Sequence, residues 1–258
     1  MKKNIKKIAS IAFVALLATG CNGSEITKEQ ANERVAGIAK YQKEHAEDLY
    51  SKGVYLKSSY EGKSADGKET ESLATEVWMT KNFFHVKING IAKDASGETK
   101  QNKELYVGEK DDHFYYVDAV GKKYYDFGST GTEVMNFVNQ TLETAEAVYK
   151  AALSTSTIDV VLSEFPEGEA QFEDGFSGVL KSKGEGHLYI ELSQKSEEKN
   201  IDASAVVIFD NYRFSSIKSS IKNADGTAVT ESKASYSVSA KMPGINGMEE
   251  MTLPKFDF

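Results

Sequence analysis

The 258-residue chain holds one cysteine, one tryptophan and three prolines. A single cysteine excludes an internal disulfide framework and any metal site built from several thiolates. Arginine is nearly as scarce: among 31 basic residues only Arg34 and Arg213 are arginine. Bidentate clamps on phosphate or carboxylate favour arginine, so a dedicated anion site is not expected. The formal net charge is −8, which leaves no broad basic footprint for a nucleic acid or an anionic membrane face. Catalytic signatures are missing too. There is no Gly-x-Ser-x-Gly elbow, no His-Glu-x-x-His pair and no phosphate loop with its lysine. His45, His85 and His187 are scattered over different predicted elements. Asp111-Asp112-His113 sits at a predicted hairpin tip, where three adjacent residues seldom converge on one ion. The sequence therefore reads as a non-enzymatic protein without cofactor or metal.

What is present begins at the N-terminus. Met1–Lys7 carries Lys2, Lys3, Lys6 and Lys7 and no acid. Ile8–Leu17 is apolar apart from Ser10, and Ala18, Thr19 and Gly20 are small. A basic start, a short apolar core and a small-residue cleavage site make a secretory signal peptide. Cys21 stands where that signal would be cut. Leu17-Ala18-Thr19-Gly20-Cys21 resembles the lipobox of bacterial lipoproteins, with Ala18 at the position where leucine is usual. The resemblance implies a diacylglycerol on the Cys21 thiol, cleavage before it, and anchoring at the outer face of the cell membrane. Two or three acyl chains suffice for stable attachment, at about 0.8 kcal/mol per buried CH₂. Removing residues 1–20 takes away four lysines and no acid, so the net charge of −8 becomes −12.

Residues 27–258 read as one α+β domain, with two similar halves at 27–128 and 129–258. Residues 21–26 form the anchor and a short tether, whose five residues after Cys21 would reach about 16–18 Å. A helix is predicted from Ile26 to Ser51. Thr27 and Gln30 form a capping-box pair, and Ala31, Val35, Ile38, His45, Ala46 and Leu49 fall on one stripe. A second amphipathic helix is predicted over Thr132–Ser154, opened by Thr130 and Glu133. Between and after them the period changes to two. Predicted strands are 54–61, 73–80, 83–91, 105–109, 114–118 and 123–127, then 158–165, 170–172, 178–181, 187–193, 203–209, 214–222 and 234–240. The short turns between them dictate antiparallel pairing. Lys57-Ser58-Ser59, Ala65-Asp66-Gly67 and Thr70-Glu71-Ser72 resemble Lys218-Ser219-Ser220, Ala224-Asp225-Gly226 and Thr230-Glu231-Ser232. Convergent hairpin chemistry explains that match as well as a duplication does. Several strands are apolar on both faces, which calls for a cover on the second face. The expected architecture is a strongly curved antiparallel sheet, an incomplete barrel, covering two main amphipathic helices.

That layout is similar to the LolA/LppX-like family of lipid and lipoprotein carriers. The similarity is carried by Glu76–Phe84, by the aromatic pairs Phe114–Tyr116 and Tyr124–Phe127, by Val206–Asp210 leading to Phe214, and by Met251–Pro254. It implies a cavity for acyl chains and assigns no residue a role. From the residues themselves, Tyr60, Trp78, Phe84, Tyr106, Tyr116 and Tyr125 are the candidate lining of an apolar pocket; equally they can be core, since interiors are close-packed. Two functions follow as expectations: a tethered carrier of a lipid or other amphiphile, or an envelope interaction protein with a filled core and an acidic binding surface.

Overall fold

The computed structural model describes residues 23–45, 52–80, 83–129, 156–167 and 171–252. The first helix, α1, spans Lys28–Glu44. Its start is set by the predicted reciprocal cap: Thr27 Oγ1 accepts from the Gln30 N–H at 3.2 Å, and Gln30 Oε1 accepts from the Thr27 N–H at 3.0 Å. Ala31, Val35 and Ile38 form its buried stripe. Ala46 and Leu49, and the whole predicted helix over 132–154, lie outside the described residues.

A second helix, α2, spans Ser156–Ser163 and corrects the strand predicted over 158–165. Its β-branched residues suggest a strand, yet Ile158, Val161, Leu162 and Phe165 are all buried. That spacing of i, i+3, i+4 and i+7 is a helical stripe, and burial against the core overrides the propensity. Gln171 and Phe172 are irregular rather than extended into a strand; Phe172 turns its ring onto Phe165.

Short turns produce a meander. On one side of the sheet are β2 (Val54–Ser64), β3 (Thr70–Thr80), β4 (Phe83–Asp94), β5 (Gly97–Lys110), β6 (His113–Asp118) and β7 (Lys123–Gly128). On the other are β8 (Phe176–Ser182), β9 (Leu188–Ser196), β10 (Ile201–Asp210), β11 (Arg213–Asn223) and β12 (Gly226–Tyr236). Strand β12 extends over 226–236, upstream of the predicted 234–240. Two-residue strands close the edges, β1 (Ser24–Glu25) and β13 (Glu249–Glu250). Met251 and Thr252 are not in a strand. The order is β1-β8-β9-β10-β11-β12-β2-β3-β4-β5-β6-β7-β13, one open sheet. All neighbours are antiparallel except β13, which runs parallel to β7. The protein is thus α+β with strands dominant, built on an open, curved sheet.

The two matching hairpins, β2–β3 and β11–β12, lie side by side and meet where β12 pairs with β2. Ser58 and Ser232 face each other there with their Oγ atoms 2.8 Å apart, and at the tips Ala65 N–H donates to the Asp225 carbonyl at 3.0 Å.

Directly opposed residues share a face of a sheet, so the register separates the two faces. One face carries Leu180, Ile190, Val207, Val54 and Met79, and the stripes of α1 and α2 bury against it in a single cluster. We call it the helix face and its opposite the far face.

Candidate functional site

The register divides the six predicted pocket residues. Tyr60, Phe84, Tyr116 and Tyr125 are on the helix face; Trp78 and Tyr106 are on the far face. Phe84, Val107, Tyr116 and Tyr125 form one cross-strand row. Phe84 and Tyr116 pack around buried Val107 and Phe114 with Phe127, and the Tyr125 ring meets Phe127 edge-on at 4.9 Å. Tyr60 sits further along β2, its ring folded over Gly62. A one-residue step moves a side chain through the sheet, so the six cannot line one pocket.

Trp78 and Tyr106 belong instead to a far-face ladder. Tyr55, Trp78, His85 and Tyr106 are consecutive cross-strand partners. Their rings follow one another at 4.5, 4.4 and 3.8 Å between centroids, the first pair tilted and the other two stacked. A charged row runs beside them: Lys57, Glu76, Lys87 and Glu104 are likewise opposed strand by strand. The two rows are bonded together. Tyr55 Oη donates to Glu76 at 2.9 Å, Tyr106 Oη donates to Glu104 at 2.8 Å, and His85 Nε2 lies 3.1 Å from the same Glu104 oxygen. Burial pushes the Tyr55 phenol up to about 12, helped by Glu76, and raises Tyr106 with help from Glu104. Burial also holds the His85 imidazole below its ordinary value, against the pull of Glu104. The arrangement is a neutral imidazole donating to a carboxylate.

His113 and Asp126 form a second pair, 2.9 Å apart at the β6–β7 end. This pair occupies His113 of the Asp111-Asp112-His113 run, and Asp126 also caps the Gly128 N–H.

Two grooves open on the surface of the described residues. One of about 310 Å³ lies between the C-terminal half of α1 and the turns β8–β9 and β10–β11, lined by Arg34, Gly37, Lys40, Tyr41, Glu185 and Tyr212, with Glu33 and Glu44 at its rim. In it Tyr212 stacks on Tyr41 at 4.3 Å, and Tyr41 stacks on His45 at 4.1 Å. Tyr212 has a φ of 61°, uncommon for a bulky residue; it is held by Gln42 Nε2 donating to its carbonyl and by its own N–H donating to Gly186. Arg34 Nε is buried without an acceptor. A second groove of about 190 Å³ is lined by Ile26, Phe165, Pro166, Phe172 and the β8 edge. None of the six predicted pocket residues lines either groove. Sequence reasoning missed Arg34, Tyr41 and Tyr212. The available signal was the spacing of Arg34 and Tyr41, two turns apart and off the apolar stripe, in a chain with two arginines.

Ser24 and Glu25 pair with Ser182 and Lys181, and a Cβ on Gly23 would come within 3.0 Å of the Ser182 backbone. The chain is fixed to the sheet from Gly23 onward.

Fold and surface together define an α+β protein on a single open antiparallel sheet with shallow grooves. Among the described residues no helix is long and apolar enough to cross a membrane. No family model matches the chain, and no curated protein matches it. Similar solved structures include LprF from Mycobacterium bovis, 11% identical with a TM-score of 0.31, covering 87% of this chain and 100% of that one. Another is a putative outer membrane lipoprotein-sorting protein domain from Vibrio parahaemolyticus, 11% identical with a TM-score of 0.23, covering 85% of this chain and 97% of that one.

Proposed function

We propose that the protein is an extracytoplasmic lipoprotein, anchored through acyl chains on Cys21 and non-enzymatic, which binds a lipid or other amphiphile beside the membrane. The observation that carries this reading is the join between the lipobox-like Leu17–Cys21 and a fold that grips the chain two residues later, at Gly23. A body held that close to an anchor works at the bilayer surface. The apolar rows of the helix face support an amphiphile as ligand. Leu56, Val77 and Phe84 are only partly buried at the margin of the core, and half-buried apolar side chains are what an apolar ligand meets.

Cys21→Ser should release the protein from membranes; retention of the unlipidated variant after a carbonate wash would refute the anchor. For the ligand, the two faces give an internal control. Saturable binding of a fluorescent fatty acid or phospholipid analogue should weaken in Phe84→Ala and Tyr116→Ala and persist in Trp78→Ala. An envelope interaction protein, the second reading, is favoured by the far face. Its ordered rows of rings and alternating charges make a surface suited to a protein partner. Absence of binding to a broad lipid panel would leave that reading.

A further inference from the structure

The turns at the two ends of the sheet are not equivalent with respect to the tether. Strand β1 enters the sheet opposite Ser182, the last residue of β8. Gly23, which precedes Ser24, lies beside the Ser182 backbone on the side of the β8–β9 turn, Lys183–His187. The β10–β11 turn lies at the same end, because Tyr212 N–H donates to the Gly186 carbonyl at 2.8 Å. The 310 Å³ groove is lined by residues of both turns. The hairpin tips at Asp66 and Asp225 are at the opposite end, separated by a strand of about ten residues, or about 30 Å.

The groove is lined by Arg34, one of the chain's two arginines. Arg34 Nε has no acceptor, and neither has Arg213 Nε outside the groove, although a buried guanidinium N–H ordinarily finds one. Lys40 lines the same groove, 4.0 Å from Glu44, and Glu33, Glu44 and Glu185 supply three carboxylates around it, Glu185 accepting from Tyr212 Oη at 3.3 Å. Both signs are present in one small site. A purely anionic headgroup would meet three carboxylates and a purely cationic one would meet Arg34 and Lys40. A headgroup with a phosphate and an ammonium matches both.

We propose that the end of the sheet bearing the β8–β9 and β10–β11 turns faces the bilayer, and that the groove there holds a zwitterionic phospholipid headgroup. Its phosphate sits at Arg34 and its ammonium among Glu33, Glu44 and Glu185. The proposal deepens the anchored, amphiphile-binding reading above and rests on it.

The test uses the full-length, acylated protein in proteoliposomes. Intact mass first establishes the diacylglycerol on Cys21; its absence would overturn the anchored reading and this proposal with it. Acylation leaves no free thiol, so Lys183→Cys and Asp225→Cys each accept a single fluorophore. Brominated lipids should quench the label at position 183 strongly and the label at 225 little. Equal quenching, or the reverse order, in a protein shown to be acylated would overturn the orientation and leave the anchor intact. Native mass spectrometry in detergent then compares added phosphatidylethanolamine with phosphatidylglycerol. Phosphatidylethanolamine adducts should predominate and fall at least tenfold in Arg34→Gln. Adducts unchanged in Arg34→Gln, or a preference for phosphatidylglycerol, would overturn the headgroup site.

Discussion

Two buried histidines make the folding of this protein sensitive to acid. His85 is held below the usual imidazole value chiefly by burial, and His187 likewise by burial, with Lys183 adding to the effect. His187 Nδ1 accepts from the Lys183 N–H at 3.2 Å, a role only the unprotonated nitrogen can fill. An unfolded imidazole titrates near pH 6.5. Below that point the unfolded chain takes up protons that the folded chain resists. The stability due to the two neutral rings is therefore complete above about pH 6.5 and declines as the pH falls toward the lower folded values. Urea midpoints should drop between pH 7.5 and 5.5, and drop less in a His85→Gln, His187→Asn double variant; an unchanged drop would refute the assignment. At the same scale, Gly178 is a packing requirement. The rings of Phe165 and Phe172 lie 2.6–2.7 Å from where its Cβ would be. Gly178→Val should cost about 1–3 kcal/mol as an overpacked site, read from urea unfolding. Single residues were the least legible part of the sequence. The six aromatic residues expected to line a pocket are all half-buried, but which of them face one another depends on strand parity. Tyr60 and Trp78 belong to paired strands and still point to opposite faces, because β2 and β3 pair Tyr60 with Leu73 and Tyr55 with Trp78.

Secondary structure was more legible where the local chemistry is directional. The Thr27–Gln30 cap was readable because both partners lie within four residues, and the structure forms both of its hydrogen bonds. Thr27→Ala should cost roughly 1 kcal/mol, within the range for lost N-caps. The buried stripe of α1 makes a stronger prediction. Ile38 is fully buried, so Ile38→Ala should cost about 2–5 kcal/mol. Lys40, on the exposed side, should tolerate alanine with a change within about 0.5 kcal/mol. Thermal or urea denaturation separates the two outcomes. The misreading of α2 shows what local pattern misses. Ile158, Val160 and Val161 favour a strand by shape, and nothing within eight residues reveals that α1 and the sheet offer a helix-shaped seat. Short turns, in contrast, identified most strands on either side, because a two-residue connection leaves antiparallel pairing as the only option.

At the scale of the whole molecule, the antiparallel sheet and its strand-dominated α+β character were legible, while the order of the strands was not. Local turns order β2 to β7 and β8 to β12, but the seam between β12 and β2 joins residues about 170 positions apart, as in the Ser58–Ser232 contact. No periodicity encodes such a partner. The edges, too, are set by distant pieces: β1 closes β8 and β13 closes β7, each with two residues. Both closing strands are short and carry glutamate, a device that discourages edge-to-edge association. The seam has a temporal consequence. A chain that emerges from its N-terminus completes β2 early, yet the partner of β2 on the β12 side is among the last segments to appear. For nearly the whole of synthesis or translocation, the future middle of the sheet is a bare edge, with a row of unmatched N–H and C=O groups. Pairing across so long a loop is slow, and a bare edge invites association with other chains. A fragment ending at Ser129 should therefore self-associate, as light scattering would show. Adding a separate chain of residues 171–252 should suppress it, so that what limits the birth of this protein is the wait for its last long strand.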